Sequence, residues 1–354
     1  MQQAPHHPCG AFACDAVAAH RQLSVSEIAT SIAAMTPPAV LVAAVLSVAF
    51  ALATATPAAA QGWPSRPISM IATFPAGGPT DGVARVLAHE LGERLKQKVV
   101  VENRGGAGGT LGAAAVAKSP PDGHTLLLTS TGPLGYYRAL YKSLPYDPVK
   151  DFAPAALIGT IPQVIIVSPK LKAATLREFI EHARVNPGRV NIGDSGVGTT
   201  LHILAAQMVL ATGIEIQHVH YRGAAGSVAD VMGGQIEAAL SGFVPTYVTM
   251  KVLGVTWTDR LKALPNVPTF RESGLDIVSG LSLTLAAPAG TPPDVIARLN
   301  AATNDFLKSE RGKTFETNYS LQIAGGTPEA AREFLATDAA RLEPVIRKAR
   351  IAAD

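Results

Sequence analysis

From Ile68 onward, short apolar runs alternate with amphipathic segments. ISMIATF (68–74) reads as a buried strand, and DGVARVLAHELGERL (81–95) as a helix with apolar residues three and four apart. VVVE (99–102) is a second strand, TLGAAAVAKS (110–119) a small-residue helix stopped by Pro120 and Pro121, and TLLLTS (125–130) a third strand. This strand–helix alternation predicts a mostly parallel sheet with helices on both faces. The pattern resumes after Phe152, with strands over 164–168, 190–193, 217–221 and 236–241 and helices over 176–185, 200–211 and 225–232. A strand over 281–287 and helices over 293–309 and 328–349 close the chain. The pattern predicts two α/β lobes.

Upstream, AVLVAAVLSVAFALATAT (39–56) is apolar and runs into PAAAQ (57–61). It is short for a membrane span and ends in small residues, as a secretory signal cleaved after Ala60 does. Export to the periplasm is therefore expected, with Met35 a rival start to Met1. Both cysteines, Cys9 and Cys14, fall in the discarded segment, so the mature chain has neither a disulfide nor a thiol nucleophile. Removing residues 1–60 makes the formal charge one unit more positive than +3. That balance tolerates an anionic ligand but is too mild for nucleic acid. Nearly half of the 354 residues are hydrophobic (47%), enough to bury large cores.

Three strand-to-helix segments carry the candidate chemistry: FPAGGPTD (74–81), LTSTG (128–132) and GDSGVGT (193–199). Such turns lie beyond the carboxyl ends of strands, where free amides and helix dipoles hold carboxylates or phosphates. Gly77 and Gly78 allow backbone to approach a ligand, and Thr80 or Asp81 can cap the helix that follows. NRGGAGG (103–109) lacks the Lys-Ser/Thr of a P-loop and reads as a tight packing turn. The letters Gly-Asp-Ser-Gly around Ser195 raise a second possibility, a secreted serine hydrolase. Val197 stands where a protease carries its next glycine, and His124, His202, His218 and His220 have no recognisable triad context. His218 and His220 share a strand face without a third metal ligand, so no metal or other cofactor is expected.

Several ordered segments together resemble the Bug family, the extracytoplasmic solute-binding proteins of tripartite tricarboxylate transporters. They include WPSRPISMIATFPAGGPTDGVAR (63–85), VVVENRGGAGGTLGA (99–113), PDGHTLLL (121–128) and YDPVKDFAP (146–154). NPGRVNIGDSGVGTTLHILAAQM (186–208), HYRGAAGSVADVMGGQIEAA (220–239), LPNVPTFRESGL (264–275) and APAGTP (287–292) continue the match in order. The resemblance implies a type II periplasmic-binding-protein fold, two α/β lobes with mostly parallel sheets around a ligand cleft. Residues 63–160 and 284–354 would form lobe 1, and 161–283 lobe 2. It further implies a monomer that catalyses nothing, binds one small carboxylate and serves membrane transporter subunits. A solute receptor feeding a membrane sensor would share the fold. Carried over from the family, ligand contacts fall on Phe74, Pro75, Gly77, Gly78 and Asp81 in the first turn. In the second they fall on Ser195, Gly196, Gly198, Thr199 and His202, and Thr129, Ser130 and Tyr221 line the cleft. The chain departs from the family at Ser282 and Thr284, where a Trp and a Gly are usual, and it is shorter between Gly242 and Leu253.

Overall fold

The computed structural model describes residues 62–353 and, upstream of them, Val42. Apart from Val42, the expected signal segment and its cleavage point lie outside the described residues. The first half builds as its periodicity predicts. Strand β1 (Ile68–Ala72) leads to α1 (Pro79–Leu95), then β2 (Val99–Asn103), α2 (Thr110–Ala117), β3 (Thr125–Ser130) and the short α3 (Thr131–Leu134). Pro79 opens α1 at its first turn, where a missing N–H costs nothing. β1 pairs in parallel with β2 on one side and β3 on the other.

Next comes β4 (Phe152–Val167), 16 residues long where a strand of five was expected. Pro154, Gly159 and Pro162 hide it from a periodicity reading, because each interrupts the alternation. The strand accommodates them with irregular register between Pro154 and Ala156 and between Leu157 and Gly159. Beyond β4 follow α4 (Leu176–Val185), β5 (Val190–Asp194), α5 (Thr200–Thr212), β6 (Ile216–His220), α6 (Ala224–Gly233), β7 (Ala238–Gly242) and β8 (Val252–Val255). The chain closes with β9 (Gly280–Pro288), α7 (Pro293–Lys308), α8 (Glu310–Tyr319), β10 (Gln322–Gly325) and α9 (Pro328–Lys348). The short elements β8, α8 and β10 were not anticipated; a four-residue strand carries too few positions to show a period.

The strand order is β2-β1-β3-β9-β4-β7-β5-β6, with β8 and β10 also on β4. Parallel pairing holds within β2-β1-β3 and within β7-β5-β6, while β9 and β4 run antiparallel between the two groups. β4 links the two groups. From Phe152 to Pro162 it pairs with β9, and from Gln163 it pairs with β7. Gln163 is fully buried at this change-over. Its N–H donates to Thr256 Oγ1, and Thr256 Oγ1 in turn donates to Ser279 O, so both chain crossings meet at one point.

One core packs α1 and α7 on β1, β3 and β9 around Leu87, Leu91, Leu126, Leu283 and Phe306. A second packs α4 and α5 on β5 and β7 around Phe179, Ile192, Leu204, Leu240 and Phe270. A third cluster joins the halves: Tyr137, Leu140, Ile203, Leu342 and Ile346. The family departures settle quietly. Ser282 Oγ hydrogen-bonds Thr160 Oγ1 at 2.8 Å, Thr284 stands in register with Thr129, and the shortened segment holds a 3₁₀ turn over Pro245–Thr249 before β8.

Gly159 lies where β10 crosses β4, and a Cβ there would overlap Gln322 O and sit 3.1 Å from Ile323 Cα. Both obstacles are backbone and cannot rotate away. Gly159→Ala is expected to lower stability by about 2 kcal/mol, read as a fall in the urea midpoint at unchanged slope.

Candidate functional site

A cavity of about 450 Å³ opens where the carboxyl ends of the strands from both halves meet. That is a size suited to a small solute. Three helices start at its wall. Gly78, Pro79 and Thr80 come from the start of α1, Thr199, Thr200 and Leu201 from the start of α5, and Gly223, Ala224 and Ala225 from the start of α6. First-turn amides have no acceptor within their own helix. Neither Gly78 nor Gly223 supplies a side-chain cap, so at α1 and α6 those donors stay available. At α5, Thr199 caps only the His202 amide. Three positive dipole ends therefore share one space.

The lining holds no Asp or Glu; its one charged member is Arg222, exposed, with no ion pair among the described residues. Tyr221 lines the wall with its hydroxyl donated to Asp230 Oδ2 at 2.6 Å. Burial and that acidic neighbour push the phenol up to about 12, so it stays neutral. At the rim the halves touch. A Cβ on Gly223 would come within 2.8 Å of Pro75 Cδ, one on Gly77 within 3.9 Å of Ala225 Cβ, and one on Gly108 within 3.2 Å of Val197 O. The 103–109 turn thus acts as packing, its Gly108 carbonyl also accepting from Tyr137 Oη at 2.6 Å.

Of the residues expected at the ligand, Phe74, Pro75, Gly78, Ser130, Ser195, Thr199 and Tyr221 line this cavity. Gly77, Asp81, Thr129, Gly196, Gly198 and His202 do not, and each has another partner. The Gly77 amide donates to Asp81 Oδ2 at 3.0 Å, and Asn103 Nδ2 bridges Asp81 Oδ1 to the Phe74 carbonyl, both at 3.0 Å. Burial alone would raise the Asp81 carboxyl. The donors Gly77, Arg85 and Asn103 outweigh it and hold the group below its ordinary range. Thr129 Oγ1 pairs with Thr73 Oγ1 at 2.8 Å. The Gly196 amide donates to Asp194 Oδ1, and the Gly198 amide to His202 Nδ1 at 3.1 Å.

Ser195 Oγ donates to Thr199 Oγ1 at 3.0 Å, not to an imidazole. The nearby acid–imidazole pair, Asp194 with His220 Nδ1 at 3.0 Å, does not reach that hydroxyl. A nucleophile needs its base within hydrogen-bond reach. Among the described residues no group of three or more His, Cys, Asp or Glu is placed to hold a metal ion.

Sequence reasoning missed the third turn, from Arg222 to Gly226. Its signal was legible: a strand ending at His220, then small residues opening a helix. Gly242 and Leu281, also on the wall, carry no such mark.

Residues 83–351 match the model of the family described as "Tripartite tricarboxylate transporter family receptor". Protein BugT of Bordetella pertussis is 36% identical over 303 residues, covering 83% of this chain and 92% of that protein. A solved R. palustris protein with adipate superposes with a TM-score of 0.79 at 31% identity, covering 82% of this chain and 99% of that one. MatC from Rhodopseudomonas palustris with bound malate gives 0.75 at 29% identity, covering 80% and 100%.

The Asp81 network generates a prediction about acid. The carboxyl's native pKa lies below its ordinary 3.8, so its stabilisation is complete above that value and is lost as pH falls through the native one. Asp81→Asn is expected to be less stable than wild type at neutral pH. The gap in urea midpoints should narrow steadily once the pH drops below about 4.

Proposed function

The chain belongs to the family of tripartite tricarboxylate transporter receptors, and from that premise we propose that it captures a small carboxylate in the cavity between the three helix starts. Its family and structural neighbours are periplasmic solute-binding proteins, not enzymes. The observation that carries the reading is the convergence of the α1, α5 and α6 N-termini on a wall without acidic side chains and with one unpaired guanidinium. Each dipole end contributes about 0.3–1 kcal/mol toward an anion when exposed, and more in a closed site. The amide and hydroxyl donors add charge-assisted hydrogen bonds. The solutes held by the two Rhodopseudomonas neighbours, adipate and malate, support the same class here.

The two halves would act as the lobes expected from the sequence, 63–160 with 284–354 and 161–283, hinged where β4 and the 256–280 segment cross. Solute bridging both halves would favour the shut form. The protein would reach the periplasm through its signal segment, work as a monomer and pass its solute to membrane subunits of the transporter. No helix among the described residues is long and apolar enough to cross a membrane.

A thermal-shift screen of mono-, di- and tricarboxylates, amino acids and neutral isosteres tests the class. One or a few acids should raise Tm by several degrees while their amides do not. Gly78→Val should erase that shift yet melt near the wild-type temperature when unliganded. The only heavy atom a Cβ at Gly78 would meet is Pro75 O, at 3.9 Å, so the added bulk enters the cavity and not the core. A panel in which no carboxylate shifts Tm, or a Gly78→Val variant that binds as wild type does, overturns the reading.

A further inference from the structure

Behind the second turn, on the side away from the cavity, three imidazoles meet. The His202 ring centroid lies 4.8 Å from that of His218 and 4.6 Å from that of His220, and the latter two are 5.9 Å apart. They line a second hollow together with Lys348 and Arg350 from the end of the chain. The charged and titratable groups around His202 are thus Asp194 on β5, His218 and His220 on β6, Lys348 at the end of α9 and Arg350 beyond it.

The hydrogen bonds assign different states to two of the rings, His220 and His202. His220 Nδ1 faces both oxygens of the fully buried Asp194 at 3.0 Å, so it carries a proton; that bond also raises its pKa. His202 Nδ1 instead receives the Gly198 N–H, which requires a lone pair there and a neutral ring with its proton on Nε2. Burial agrees: it outweighs the attraction of Asp194 and, with His218 and His220 alongside, pushes the His202 imidazole down to about 4. Gly198 sits at φ +74°, in the left-handed region open to glycine, and the next residue, Thr199, lines the cavity and accepts from Ser195 Oγ. A protonated His202 would present a donor to a donor and lose Gly198.

We propose that His202 is the positioning residue of the second anion turn, holding the Gly198 amide as a neutral acceptor and so fixing Ser195 and Thr199 toward the solute without touching it. The proposal rests on the carboxylate-binding reading above, and its test separates the two.

The first arm needs no solute. In isotope-labelled wild type at neutral pH, the His202 Nδ1 resonance should be that of an unprotonated nitrogen, and the Gly198 amide should exchange slowly. His202→Gln, whose amide oxygen can accept the same bond, should keep that protection. His202→Leu should speed exchange about tenfold, the loss of one hydrogen bond. The second arm titrates malate and adipate by calorimetry. His202→Leu should weaken binding about tenfold at neutral pH, with His202→Gln restored to within about twofold.

The ratio of wild-type to His202→Gln dissociation constants cancels the solute's own titration. It should rise about twofold by pH 4 and about fourfold by pH 3.5 as the competent neutral fraction falls. Equal Gly198 exchange in wild type and His202→Leu, or a flat ratio, overturns the proposal. If neither acid binds wild type, the exchange comparison alone decides, and the carboxylate reading is judged by its own screen.

Discussion

The site depends on two buried carboxylates turned back onto their own turns. Asp81 is 5% exposed and Asp194 fully buried, each within a strand-to-helix segment that borders the cavity. A carboxylate facing the cavity would repel the anion proposed to bind there. Each is instead surrounded by donors: Gly77, Arg85 and Asn103 around Asp81, Gly196 and His220 around Asp194. A buried carboxylate without such partners would cost several kcal/mol. With them, the negative charge is consumed locally and locks the turn, and the amides left over are those of the helix starts. The two turns reach the same solution with different side-chain donors, a guanidinium at Asp81 and an imidazole at Asp194.

That local arrangement becomes a shared site because of the long strand β4. By pairing with β9 along its first part and with β7 along its second, it fixes the carboxyl ends of both strand groups around one space. Gln163, at the change-over, ties this strand to the cavity wall through Nε2 to Thr200 Oγ1 at 3.0 Å. The halves meet again in the cluster of Tyr137, Ile203 and Leu342, where α9 packs against α5. A rigid-body movement between halves must therefore be absorbed at few points: the Gln163–Thr256–Ser279 crossing and the contacts of α9. An anion bound to helix starts from both halves would select the arrangement in which they approach.

Much of the fold was legible because each long element advertises its own period. The helix over 176–185 is found at the bounds its pattern predicts, and those over 200–211 and 225–232 extend by one residue or two. Strand β4 was not legible. Its length comes from pairing with four other strands, which overrides the prolines and Gly159 that locally argue against it. For the cavity, the chain shows where amides are free but not which of them a neighbouring side chain consumes. Gly77 and Gly198 look alike to Gly78 in sequence, yet one amide goes to Asp81 and the other to His202. Both partners are four residues downstream, at the first turn of the following helix, a spacing that is visible once the rule is known. Leu281 and Gly242 reach the wall only through sheet order, which no local pattern reports.

A wall of this kind divides recognition into two parts. Backbone amides at helix starts hold a carboxylate group whatever is attached to it, so they specify a chemical class. They survive wide sequence change, since they depend on turns and not on side-chain identity. On the proposed reading, the choice among acids would fall to the few larger side chains on the wall: Phe74, Tyr221, Arg222 and Leu281. The neighbours solved with adipate and with malate share the fold at about 30% identity while holding acids of different length and polarity. Under that division, changing a turn glycine removes binding of every acid together. Changing Phe74 or Arg222 alters the order of preference among them while leaving the common carboxylate grip in place.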